Sequence, residues 1–266
     1  SVLYGSRIFQ NVARMGGGAS ACTLTGCTMS ENEARSGGGG AYGCLMRNCA
    51  LRRNRAGLGG AAEASTLENC TVTGNIAAGL AGGIINSTAR NCIIYYNTAS
   101  AAANHWRSSL HYCCTTDPVS GLGNITNDPV LVSSTHIYLS SPCRGAGDDL
   151  YASGADIDGD AWHSPPAIGA DEPQDSLAGE LTLSIAADST NVALGTVVGF
   201  DALIEGAALR SVWNFSDGVF NTNCPYARHA WSETGDYPVI LTAWNAEHPA
   251  GVACTTWVSV VTQPVA

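Results

Sequence analysis

Cys27, Cys49, Cys70 and Cys92 are spaced 22, 21 and 22 residues apart, and the stretches between them repeat column by column. Five residues after each cysteine stands Asn32, Asn54, Asn75 or Asn97, with Asn11 one interval earlier. Two residues after come Met29, Leu51, Val72 and Ile94, and three before come Leu24, Met46, Leu67 and Ala89. Five before come Cys22, Cys44, Ser65 and Ser87, and glycine clusters follow each asparagine. A fixed period of this length restricts the chain to a stack of like units, each burying its apolar side only against the next.

The columns give the shape of one unit. Positions two apart share a face, so −5 and −3 form one short strand face and 0 and +2 another. The odd step between them needs a bend. Gly26, Asn48, Asn69 and Asn91 sit there, and Gly and Asn tolerate the left-handed backbone a corner requires. The +5 asparagines mark a second corner and the glycine cluster a third. Three short strands per 21–22 residues predict a right-handed parallel β-helix. A leucine-rich repeat has a similar period, but its LxxLxL signature and helical side are missing from the sequence.

Composition agrees with a β-rich, turn-rich chain: 31 glycines in 266 residues, 45% apolar and 13% charged. The net charge of −10, with arginine as the sole cation, disfavours nucleic acid and anionic membranes as partners. No run of 18 apolar residues is present, so no membrane span is expected. Eleven cysteines without zinc spacing suggest an oxidising compartment, hence a secreted or cell-surface protein. The cysteine column reads either as a ladder of thiols or as including bridges such as Cys22–Cys44.

Past Asn97 the period loosens. Gly123-Asn124-Ile125, Asp128-Pro129, Leu139 to Ser141-Pro142, Asp158-Gly159 and Ile168-Gly169-Ala170 with Glu172 follow in order. This set resembles the closing segment of bacterial surface β-helix proteins of the choice-of-anchor Q type. The resemblance covers about residues 16–173 and implies a secreted scaffold rather than one reaction. Within it, Asp156, Asp158 and Asp160 alternate around Gly159 and form a candidate calcium loop, with a plain polar turn as the alternative. Calcium is the one cofactor to consider.

Residues 1–172 are therefore expected to be the β-helix with its closing segment, 173–180 a linker, and 181–266 a β-sandwich of alternating strands. Trp213-Asn214-Phe215-Ser216-Asp217-Gly218, His229-Ala230-Trp231 and Gly235-Asp236-Tyr237-Pro238-Val239 resemble a PKD domain, with departures at Asn214, Ser216 and Trp231. Cys224 and Cys254 are a candidate disulfide. His229 reads as a structural hydrogen-bonding residue.

No catalytic residue is expected. Glycoside hydrolysis needs a carboxylate pair, and the coils carry only the scattered Glu31, Glu33, Glu63 and Glu68. Arg47, Arg52, Arg53, Arg55 and Arg90 form a basic group for an acidic sugar or another subunit's carboxylate, or simply a solvated face. The repeat columns run to the first residues, so a preceding segment or another copy is expected at the N-terminal coil edge. The reading is a non-catalytic extracellular structural or adhesive protein, with head-to-tail assembly as one mode. The alternative is a polysaccharide-binding or polysaccharide-degrading β-helix.

Overall fold

The computed structural model describes residues 1–174 and 178–262, and the described residues are all-β. The N-terminal part is a parallel β-solenoid of about five turns, with a β-sandwich C-terminal to it. Each coil has four sides rather than the three expected. Side A stacks six strands from Val2–Tyr4 to Ser109–His111, and side B six from Arg7–Phe9 to Cys114–Thr115. Side C stacks five from Val12–Met15 to Thr98–Ala101. Side D stacks five two-residue strands from Ala19–Ser20 to His105–Trp106. Side D is too short to show a period of two, which is why it merged with the glycine corner in the sequence.

Left-handed residues pace the coil. In the third coil they are Gly43, Asn48, Arg53 and Gly59, and across the solenoid φ at these corners lies between 48° and 65°. They recur every five residues around sides D, A and B, and after six or seven around side C. The alternation of 21 and 22 is therefore confined to side C, where three of the four pairings carry a register shift. The expected −1 corner holds at Gly26, Asn48, Asn69 and Asn91. At the next corner the left-handed residue is the one before the asparagine: Gln10, Glu31, Arg53, Gly74 or Tyr96.

The residue after each of these corners points inward and ties two coils together. Asn32 Nδ2 donates to Asn54 Oδ1 at 3.0 Å, Asn54 to Asn75 at 2.9 Å, and Asn75 to Asn97 at 2.9 Å. Each asparagine oxygen also accepts the backbone N–H of the asparagine one coil earlier. The cysteine and serine columns behave alike. Cys49 Sγ donates to Arg47 O and accepts from Cys27 N, while Ser65 Oγ donates to Glu63 O and accepts from Cys44 N. Left-handed non-glycine residues cost about 1 kcal/mol each, and these buried, fully used hydrogen bonds offset that cost. Leu24, Met29, Met46, Leu51, Leu67, Val72 and Ile94 fill the space between the ladders.

The far end of the stack is closed by its own chain. Asn104 Oδ1 ends the asparagine ladder by accepting from Asn97, and its Nδ2 donates to Thr116 Oγ1. Asn124 Oδ1 accepts Cys113 N and so ends the cysteine column. Residues 140–173 then run back along the A/B corner. Asn91, Asn69 and Asn48, held outward by their left-handed backbones, donate to Asp148 O, Tyr151 O and both Ser153 O and Ala155 O. The strap ends where Gly169 N donates to Asn91 O and Ala170 N to Thr71 Oγ1. Gly169 has φ +120°, and a Cβ there would lie 2.8 Å from Ile93 Cδ1, so glycine is required.

Two compact units divide the chain: residues 1–129 with 140–173, and residues 130–139 with 174–266. The excursion 130–139 thus leaves the span assigned to the β-helix. Val132 is buried in the second unit's core, and Ser211 Oγ donates to its carbonyl at 2.8 Å. The expected linker at 173–180 falls partly on 175–177, outside the described residues. The sandwich packs a three-stranded sheet against a five-stranded one. Trp213, Phe215, Phe200 and Trp231 make its centre, with Trp213 and Phe215 stacked 6.2 Å apart.

Candidate functional site

The five arginines of the sequence-level cluster do not form one site. Arg47 and Arg90 sit on side A, one coil to either side of Glu68. Both reach it: Arg47 Nε to Oε2 at 2.8 Å and Arg90 Nη1 to Oε1 at 3.4 Å. Arg90 also lies over the Tyr151 ring of the strap, 5.1 Å from its centroid. Arg52 is buried on side B and Arg53 is a corner residue. Only Arg55 faces outward on side C. A spacing of two residues cannot reveal that a corner intervenes.

Side C carries a different basic group. Val12, Glu33, Arg55, Ile76 and Thr98 stack in register on its outer face. Arg14 and Arg35 extend from neighbouring strands of the same face. The three arginines line two adjoining shallow clefts with Glu33, Ser36, Gly57 and Ala78. Among the described residues no carboxylate comes within ion-pair distance of Arg14, Arg35 or Arg55. Gly57 keeps the floor open: a Cβ there would meet Ser36 O at 2.8 Å, because the bulge brings that carbonyl close. The sequence signal existed, since Arg14 and Arg35 each stand three residues after a ladder asparagine. It went unused because the two lie outside the Arg47–Arg55 run.

In the candidate calcium loop the Asp156 carboxylate is held by backbone donors. Asp156 is buried, and its Oδ1 accepts Asp158 N at 2.9 Å and Asp160 N at 2.8 Å. Its Oδ2 accepts Glu172 N at 2.9 Å. Both oxygens are thus engaged by backbone donors that tie the turn to the end of the strap. Burial raises the Asp156 carboxyl above its usual range, against these hydrogen bonds. The geometry is that of a carboxylate-capped turn. Glu172 is likewise internal to the strap, accepting Ala167 N at 2.8 Å and pairing with His163 Nδ1 at 3.0 Å.

The cysteines are thiols in the structure, and none of the eleven is bridged. Burial pushes the Cys44, Cys70 and Cys113 thiols up, so these ladder members are held neutral. Cys224 Sγ donates to Tyr226 O, and Cys254 lies opposite Leu241, without the disulfide considered for this pair.

In the sandwich, His229 Nε2 meets Asp217 Oδ2 at 2.7 Å and stacks on Phe215 with centroids 4.3 Å apart. Trp231, buried, donates from Nε1 to Phe215 O. These contacts hold the turn at Ser216 and Gly218, where φ is positive, and give His229 a structural place.

Residues 182–258 match the family described as PKD domain. No curated protein matches the chain. Among solved structures, one titled "Structural basis for the promiscuous specificity of the carbohydrate-binding modules from the beta-sandwich super family" is similar at 19% identity and a TM-score of 0.28. The similarity covers 34% of this chain and 36% of that one, so the chain spans about a third of that structure's length. No helix among the described residues is long and apolar enough to cross a membrane.

Proposed function

We propose that this chain is a non-catalytic extracellular adhesive or structural protein whose contact surface is the outer face of side C. The observation that carries the reading is the set of three arginines there, unneutralised on a chain of net charge −10. The ladders hold the backbone under them, so the guanidinium groups are presented on a scaffold with little freedom to lose on binding. A partner bearing repeated carboxylates, such as an acidic glycan, suits guanidinium forks. The PKD-domain match supports an extracellular setting. Glu33 is the one carboxylate on the side C strands, which favours binding over the two-carboxylate chemistry of glycoside hydrolysis.

The test is binding of the full chain to immobilised acidic and neutral polysaccharides, with product analysis in parallel. Retention on acidic glycans that Arg14→Glu with Arg35→Glu abolishes, and no shortened product, supports the reading. Turnover of a uronan would move the chain to the degrading class, and equal retention of the variant would remove side C as the surface.

Assembly through the first coil belongs to the same reading. Val2–Tyr4, Arg7–Phe9, Val12–Met15 and Ala19–Ser20 are the end strands of their sheets, and Val2, Tyr4, Phe9 and Val12 are exposed there. A further coil, from a longer chain or from another copy, would continue all four ladders. Mass that grows with concentration in light scattering supports contact between copies, and a constant monomer mass opposes it.

A further inference from the structure

Side C carries two outward columns whose charges take no part in holding the solenoid together. Val12, Glu33, Arg55, Ile76 and Thr98 form one column in register. Two residues further along each strand stand Arg14, Arg35, Gly57, Ala78 and Ser100. Arg14, Glu33, Arg35 and Arg55 are exposed, and none has a side-chain hydrogen bond or ion pair among the described residues. Arg47 and Arg90 on side A, by contrast, are both paired with Glu68. Glu33 and Arg55 are register partners on adjacent coils, yet no ion pair joins them, so each presents its charge outward.

The two adjoining clefts share Arg35. One is lined by Arg14, Arg35, Val12 and Ser36, the other by Arg35, Arg55, Glu33, Gly57, Ile76 and Ala78. Each cleft thus offers two guanidinium forks, and a fork takes a carboxylate through two parallel hydrogen bonds. The arginines stand on three consecutive coils, about 4.8 Å apart along the stacking axis. One pyranose residue advances a linear polysaccharide by about the same distance. A chain lying along the axis therefore meets one arginine per sugar residue. Arg55 is displaced from the Arg14 and Arg35 column by two residues, about 6.6 Å, which suits carboxylates that change direction as the glycan twists. Gly57 and Ala78 leave room for the ring, Ile76 offers an apolar contact for its C–H bonds, and Glu33 is an acceptor for its hydroxyls.

We propose that side C takes a linear polyuronate with a carboxylate on every residue, bound along the stacking axis. Arg14, Arg35 and Arg55 hold the carboxylates of three consecutive residues, and Glu33 accepts a hydroxyl from the residue over Gly57. The proposal rests on side C being the contact surface and specifies the charge pattern of what it contacts. A glycan with a carboxylate on every second residue engages at most two of the three forks, and a neutral glycan engages none. Glu33 separates this site from a plain basic patch. Its charge repels a polyanion unless a hydroxyl is hydrogen-bonded to it.

The experiment is calorimetric titration of the full chain with two oligosaccharides of equal charge: a homouronide tetrasaccharide, and an octasaccharide alternating uronic acid with a neutral sugar. The carboxyl-reduced tetrasaccharide is the neutral control. The homouronide should bind roughly tenfold or more tightly than the alternating chain, and the reduced one should give no heat of binding. Arg55→Gln should weaken the homouronide by roughly tenfold and narrow its advantage over the alternating chain. Glu33→Ala should weaken it as well, although a negative charge has been removed. Both positions are exposed, and circular dichroism checks that the variants keep the fold. Equal binding of the two charged oligosaccharides, or tighter binding by Glu33→Ala, would overturn the proposal. So would tighter binding of a sulfated neutral tetrasaccharide than of the homouronide. If retention on acidic polysaccharide is still lost in Arg14→Glu with Arg35→Glu, those results leave side C as the contact surface without this specificity. If no acidic glycan is retained at all, both readings fall.

Discussion

Ser65 and Cys44 differ at one atom and occupy consecutive rungs of the same column. Each donates to a carbonyl two residues back and accepts from the coil below. Cysteine is therefore present as a buried donor-acceptor that also packs as an apolar group. Cys49→Ser should change stability by less than about 1 kcal/mol, whereas Cys49→Val, which strands the Cys27 N–H, should cost about 1–3 kcal/mol in denaturant melts. The mixed Ser/Cys column at −5 held this information in the sequence, but serine and cysteine look alike to a hydrophobicity pattern only if the hydrogen bond is already known. A second residue-level effect concerns His105 on side D. Burial lowers its pKa below 6.5. The unfolded chain takes up the proton first as pH falls, so the stability His105 contributes is present above about 6.5 and lost progressively below it. Melts of His105→Gln should show a flatter dependence between pH 5 and 7 than the wild type. An unchanged slope would show that His105 is not the titrating group.

At the scale of the element, the five-residue pacing of sides D, A and B leaves side C as the place where length varies. Glu33–Gly37 and Ile76–Leu80 have five residues, and their neighbours on the same side have four. Deleting Ser36 turns a long side C into a short one of a kind already present one coil away. Its cost should be within about 1 kcal/mol. Deleting Thr66 on side A moves Leu67 from the core face to the outer face and should remove cooperative unfolding of the solenoid in circular-dichroism melts. The repeat itself was legible because its columns are single residue types at fixed intervals. The fourth side was not, because two residues carry no alternation. The side C trough was not either, because a bulge has no composition of its own. The strap's docking on Asn48, Asn69 and Asn91 was half legible: those asparagines were recognised as corners, and nothing in a corner's sequence says that its side chain will be used from outside.

For the whole molecule, the division into a solenoid and a sandwich followed from the change of period, and the PKD-like motifs placed the second correctly. The excursion 130–139 escaped notice because its motifs sit among those of the closing segment. Val132 nevertheless belongs to the sandwich core. Val132→Ala should lower the unfolding transition of the sandwich by about 1–3 kcal/mol and leave the solenoid transition in place, as two-phase denaturation would show. A shift in the solenoid transition alone would put the segment in the other unit. The interleaving has a consequence for how such genes are shuffled. The second unit owns ten residues that lie upstream of the last 34 residues of the first. A crossover between 140 and 173 takes the strap's end from its coils, and one upstream of 130 carries the whole strap away with the sandwich. No single breakpoint separates the units with both intact. These two halves should be inherited as a pair, even though each has its own core.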